Sequence, residues 1–188
     1  MIEEIRAIDD YDYSDEDEEF EENELEKQLD LYAPSIGRLV MSFNSLEETV
    51  NSCLVEEVRN HDDGIGNIII SKMSYSAKVD LLKSLYTYII HMCGSKRFLA
   101  RLEPLFQGLV ESGTDRNSIL HGAWDELNKN SEIKFKTIVH PDGPKHKYRK
   151  VTVEMIDKMS QDFYDLSEKL FEFHEDFGQG VGTDDSKV

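Results

Sequence analysis

Apolar residues recur at helical spacing from residue 23 to about residue 59, where Leu25, Leu29, Ile36, Leu39, Val40, Phe43, Leu46, Val50 and Leu54 make one stripe, as one buried helix face requires. Pro34 interrupts it, so the pattern predicts one long helix or two joined at the proline. Residues 61–71 contain Asp-Asp-Gly-Ile-Gly-Asn and predict a loop. A second helix is predicted over 74–92, on Val79, Leu82, Leu85, Tyr86 and Ile89, with Ser74 or Ser76 as its N-cap. A third over 96–112 carries Phe98, Leu99, Leu102, Leu105, Phe106, Leu109 and Val110 and should stop at Gly113. Thr114 or Asp115 is then suited to cap a fourth, over 116–127, which packs through Ile119, Leu120, Ala123 and Trp124.

After Asn130 the period changes from helical to alternating. Ile133, Phe135 and Thr137 precede the turn sequence His-Pro-Asp-Gly-Pro, and Lys147, Arg149, Val151 and Val153 follow it, which predicts a two-stranded hairpin at about 131–153. Helical spacing returns over 152–177 through Met155, Ile156, Met159, Phe163, Leu166, Leu170 and Phe173. The expected fold is mainly α, a bundle of four to five core helices with one β-hairpin inserted before the last helix. Residues 23–177 form that bundle, between a flexible acidic arm at 1–22 and a disordered glycine-rich tail at 178–188. There is no internal repeat, and 188 residues suffice for one domain.

The net charge of −18 would argue against a nucleic-acid partner if it were evenly spread. It is not: residues 1–30 hold 15 acidic residues against Arg6 and Lys27, a balance of −13, which leaves −5 for the other 158. A dense acidic run of this kind is usually a solvated tail. The alternative is an arm that imitates RNA over a basic groove, with Tyr11, Tyr13 and Phe20 as docking residues. No apolar run approaches the ~20 residues of a membrane span, and the start Met-Ile-Glu-Glu lacks the pattern of a signal or transit peptide. The expectation is a cytoplasmic protein with no membrane partner. Cys53 and Cys93 lie in apolar helical stretches and read as reduced core residues. No His, Cys, Asp or Glu set has zinc-ligand spacing, and Gly64-x-Gly66 alone is no phosphate loop, so neither a metal nor a nucleotide cofactor is expected.

The chemistry concentrates in Asp115-Arg116-Asn117-Ser118-Ile119-Leu120-His121-Gly122-Ala123-Trp124, where polar groups interrupt a core-like helix. Asn117 and His121, four residues apart, share a helix face, and the long Arg116 side chain can reach the same point. At the start of a helix, backbone amides would favour an anion there, so a phosphate could be held while His121 exchanges protons. Arg116-Asn117-x-x-x-His121 resembles the Arg-x(4 to 6)-His motif of the HEPN superfamily, helical-bundle proteins that include many RNases of toxin-antitoxin, abortive-infection and other defence systems. The polar residue after the arginine and the trailing His121-Gly122-x-Trp124 are similar to members of that class. Ala123 departs from the His-x-Tyr extension of HEPN toxins paired with nucleotidyltransferase antitoxins, which puts that form of regulation in doubt.

The resemblance implies a metal-independent endoribonuclease in which the ribose 2′-OH attacks the adjacent phosphate, leaving a 2′,3′-cyclic phosphate and a 5′-OH. His121 would act as general acid or base, helped by the ordinary histidine pKa of ~6.5. Arg116 would neutralise the pentavalent phosphate, and Asn117 would orient the histidine or the phosphate. It also implies a homodimer with a composite active site, and an antitoxin or regulatory protein as a further partner. The competing reading is that Arg116 and Asn117 cap a helix and His121 is a satisfied core histidine, in a non-catalytic HEPN-like module that binds protein or nucleic acid. Around the motif, Glu47 and Glu48 could fix Arg116 or His121, although a solvated helix face suits both. On the hairpin, His140, Lys145, His146, Lys147, Arg149 and Lys150 form a cationic cluster, of which Lys145, His146, Lys147 and Arg149 are the candidate RNA-binding residues.

Overall fold

The computed structural model describes residues 3–7, 22–58, 63–124, 132–141 and 143–181. The fold is mainly α, with helices α1 (Glu22–Val58), α2 (Asp63–Ile70), α3 (Tyr75–Cys93), α4 (Leu99–Leu120) and α5 (Val153–Val181). Strands β1 (Glu3–Ala7), β2 (Glu132–His140) and β3 (Gly143–Lys150) form one sheet in the order β1-β3-β2, with β2 and β3 inserted directly ahead of the last helix. Among the described residues, no helix is long and apolar enough to cross a membrane. The chain divides into two compact units, Met1–Val40 with Asp115–Ser160, and Met41–Thr114 with Gln161–Val188.

The second unit is a helical bundle. α1 runs through Pro34 as one helix, and in this unit its stripe Phe43, Leu46, Val50 and Leu54 is buried as the spacing predicts. On α3, Ser74 is the N-cap and accepts from the amide of Ala77, while Gly94 ends the helix in the left-handed conformation at φ 71°. The core is aromatic: the Tyr86 ring lies 5.3 Å from that of Phe173 and 4.8 Å from that of Phe177, and Phe98 is 5.4 Å from Phe177. Burying each such side chain contributes roughly 2–3 kcal/mol.

In the first unit, β3 is the central strand, with Glu3 opposite Arg149 and Ile5 opposite Lys147 on one side, and Ile133 opposite Arg149 on the other. The β2–β3 ladder shifts register between Lys134 and Lys136, where an extra residue bends the strand. Tyr32 on α1 donates its hydroxyl to the carbonyl of Val151 at 2.9 Å, and its ring lies 5.3 Å from that of Trp124.

Four elements differ from the sequence expectation. Residues 63–70 form helix α2 rather than a loop; Gly66 and Ile70 are buried, and burial outweighs the breaker tendency of the glycines. Glu3–Ala7 is a strand rather than part of a flexible arm, its backbone paired to β3, while residues 8–21, the remainder of the arm, lie outside the described residues. Helix α4 does not stop at Gly113: a Cβ there would lie 3.0 Å from the Tyr75 ring, so the glycine admits that ring rather than ending the helix. Helix α5 likewise continues past residue 177 to Val181, through Gly178 and Gly180. At Gly180 a Cβ would overlap Arg97 Nη2 and lie 2.9 Å from Phe98 Cζ, so that glycine is a point of close approach. Residues 182–188, the rest of the expected tail, lie outside the described residues.

Candidate active site

Because α4 is continuous to Leu120, Arg116 and Asn117 stand in the last turn of a helix and not the first. Thr114 caps nothing; its hydroxyl donates back to the carbonyl of Val110 at 3.2 Å, as a threonine inside a helix does. The anion-favouring amides expected beneath the motif are therefore absent from this position, and the helix-end dipole there is of the opposite sign. The spiral carries one residue further, since the His121 amide donates to the Asn117 carbonyl at 3.0 Å. This keeps Asn117 and His121 one turn apart. Residues 125–127 of the expected fourth helix lie outside the described residues.

Arg116 is half-buried, whereas Asn117 and His121 are exposed. Arg116 Nη1 donates to Asn117 Oδ1 at 2.9 Å, so Asn117 orients the arginine rather than the histidine. The His121 imidazole makes no hydrogen bond to any described residue. The motif thus presents one guanidinium held by its neighbour, one amide and one imidazole on an accessible helix end.

The helix end is fixed from the sheet. Arg149, expected on the surface as an RNA contact, is instead 5% exposed. Its Nη1 donates to Ser118 Oγ and faces Asp115 Oδ1 at 3.4 Å. The Ser118 hydroxyl in turn donates a hydrogen bond to the Asp115 carbonyl at 2.7 Å. Asp115 and Ser118 flank Arg116 and Asn117, so a buried cation from β3 ties down the turn that carries the motif. Gly122 adds to this: a Cβ there would lie 2.6 Å from Ile133 Cδ1 and 3.1 Å from the Ser118 carbonyl, so a larger residue would have to displace the Ile133 side chain that packs from β2. The Trp124 indole donates to the Ile119 carbonyl at 2.8 Å and satisfies one of the orphan acceptors of the last turn.

Of the remaining candidates, Lys145 and Lys147 are half-buried on β3 and Lys150 is exposed. The side chains of His140 and His146 lie outside the described residues. Glu47 accepts from Lys78 Nζ at 2.7 Å and Glu48 from Asn51 Nδ2 at 3.1 Å. Among the described residues, no group of three or more His, Cys, Asp or Glu is placed to hold a metal ion.

A polar cluster that the sequence reading missed lies in the helical unit. The Tyr86 hydroxyl is 2.7 Å from His174 Nδ1, His174 Nε2 is 2.7 Å from Glu56 Oε2, and Glu57 Oε1 stands 3.7 Å from Nδ1. Tyr86 is fully buried and His174 is 8% exposed, so no substrate could reach the hydroxyl. Burial pushes the Tyr86 phenol up, the Glu57 carboxyl up, and the Cys53 thiol up to about 12. These residues come from α1, α3 and α5 and give no local signal; only the histidine on a buried helix stripe could have pointed to them. Comparison of the chain with protein-family models, with curated proteins and with solved structures returns no match.

Proposed function

We propose that this chain is an endoribonuclease that cleaves RNA by attack of a ribose 2′-OH on the neighbouring phosphate, with Arg116, Asn117 and His121 as its active-site residues. The observation that supports this most is the Arg116–Asn117 hydrogen bond beside an accessible His121 one turn on from Asn117. Arg116 neutralises charge that develops on the phosphate, an effect worth a few kcal/mol for a preorganised donor. His121 exchanges the proton of the 2′-OH or of the leaving 5′-oxygen. Asn117 holds the guanidinium. The motif resemblance to HEPN ribonucleases supports the same assignment, together with a homodimer, a role in defence or growth arrest, and a regulatory protein or antitoxin as partner; the two free cysteines fit a cytoplasmic location.

One observation favours a second reading, a non-catalytic HEPN-like binding module. The imidazole of His121 has no hydrogen-bonding partner among the described residues, whereas a catalytic histidine is normally oriented by one. In the catalytic reading a second copy of the chain supplies that partner. The two readings separate in a cleavage assay with a mixed RNA pool: His121→Ala should abolish cutting while leaving the circular dichroism spectrum and oligomeric state of the wild type. Equal cutting by the two proteins would end the catalytic assignment.

A further inference from the structure

We infer that the cleft between the α3–α4 corner and the end of α5 is a binding site for the phosphate group of a nucleotide. It uses none of the residues of the proposed ribonuclease site and does not rest on that reading. The cleft has a volume of about 330 Å³ and is lined by Arg97, Phe98, Arg101, Asp176 and Gln179. That is the lower end of the range for small-molecule sites and sufficient for a mononucleotide.

The charge in the cleft opposes that of the chain. Among the lining residues Arg97 and Arg101 stand against Asp176, a net positive lining in a protein of net charge −18. Arg101 is committed: its Nη1 pairs with Asp176 Oδ2 at 2.7 Å, and its guanidinium lies 5.5 Å from the Phe173 ring centre. Arg97 differs. Its guanidinium lies 4.8 Å over the Phe98 ring, and among the described residues it has no ion pair. The guanidinium sits over a buried aromatic ring, a contact that uses none of its donors. Gly180 makes the geometry possible, because any Cβ there would overlap Arg97 Nη2.

A guanidinium without an ion pair among the described residues, beside a glutamine amide and the remaining donors of Arg101, matches the acceptor-rich oxygens of a phosphate ester. The other face of the Arg97 plane can take a nucleobase by stacking, as arginine does with unpaired bases. A carboxylate would use fewer of the donors and none of the stacking. The same chemistry is offered by a free nucleoside monophosphate and by one residue of an RNA chain.

Isothermal titration of the full chain with inorganic phosphate, with adenosine 5′-monophosphate and with a 2′-O-methylated, uncleavable oligoribonucleotide tests the assignment. Arg97→Gln, at an exposed position, should leave the thermal midpoint unchanged and weaken binding of the nucleotide-bearing probes about tenfold or more, the size expected for a charge-assisted hydrogen bond. Arg97→Lys should retain inorganic phosphate and lose affinity for the monophosphate, because lysine cannot stack. Monophosphate binding comparable with that of the oligomer identifies a free nucleotide as the ligand, and binding of the oligomer alone identifies RNA. The inference is overturned if every probe binds wild type and Arg97→Gln equally, or if none binds wild type.

Discussion

Arg149→Ala discriminates most sharply between the role suggested by the hairpin's cationic sequence and the role its position gives it. The wild-type guanidinium is 5% exposed and donates to Ser118 Oγ, with Asp115 Oδ1 at 3.4 Å and the Asp115 side chain 31% exposed. Removing one member of a fully buried pair costs about 3–5 kcal/mol. The distance and the partial exposure of Asp115 reduce its share, while the charged bond to Ser118 retains about 1.5–3 kcal/mol. A loss of about 3 kcal/mol is expected, which for a chain of this length lowers the thermal midpoint by about 6–12 °C. Urea denaturation followed by circular dichroism measures it. A double-mutant cycle with Ser118→Ala should return a coupling of about 1–2 kcal/mol, since the two side chains share one bond. A loss under ~0.5 kcal/mol together with weakened RNA binding would refute the reasoning and restore Arg149 to the surface, because exposed substitutions have effects of that size.

Other predictions concern the helical unit. Tyr86→Phe removes the partner of His174 Nδ1 in a buried setting and should cost about 1–3 kcal/mol, measured by urea denaturation. Glu57 is a carboxyl whose pKa is raised in the fold, mainly by burial. Its native state therefore favours the protonated form, and stability falls as the pH rises from the unfolded pKa through the native one. Glu57→Gln should accordingly raise the thermal midpoint at pH 8 relative to wild type and leave it unchanged near pH 4; a lower midpoint at pH 8 would contradict this. Of the two cysteines, Cys93 is exposed, whereas Cys53 is buried with its thiol pushed up to about 12. A thiol reagent at pH 8 should label Cys93 in the native protein and both after denaturation.

The parts of the fold legible from sequence are those in which burial and period coincide. The stripes of α1, α3 and α5 and the strands around His-Pro-Asp-Gly-Pro follow from local pattern alone, while the choice of Ser74 over Ser76 as the cap does not. Glycine misled the reading at Gly113, which faces Tyr75, and at Gly180, which faces Arg97 and Phe98, and neither contact is visible along the chain. Strand β1 was hidden by acidic neighbours, and its pairing with lysine- and arginine-rich β3 is a long-range choice. The three motif residues were legible because they are close in sequence. Their setting was not: whether Arg116 opens or closes a helix depended on Gly113, and the roles of Asp115 and Ser118 depended on Arg149, 34 and 31 residues away.

The central claim is that Arg116 and His121 act together on a phosphodiester. Its most direct measurement is the identity of RNA ends, read by mass spectrometry after incubation in EDTA with wild type, Arg116→Ala and His121→Ala. Ends bearing 2′,3′-cyclic phosphate and 5′-OH in the wild-type reaction, and in neither folded variant, are the predicted result. Intact RNA in all three reactions, or the same ends from all three, would contradict the account.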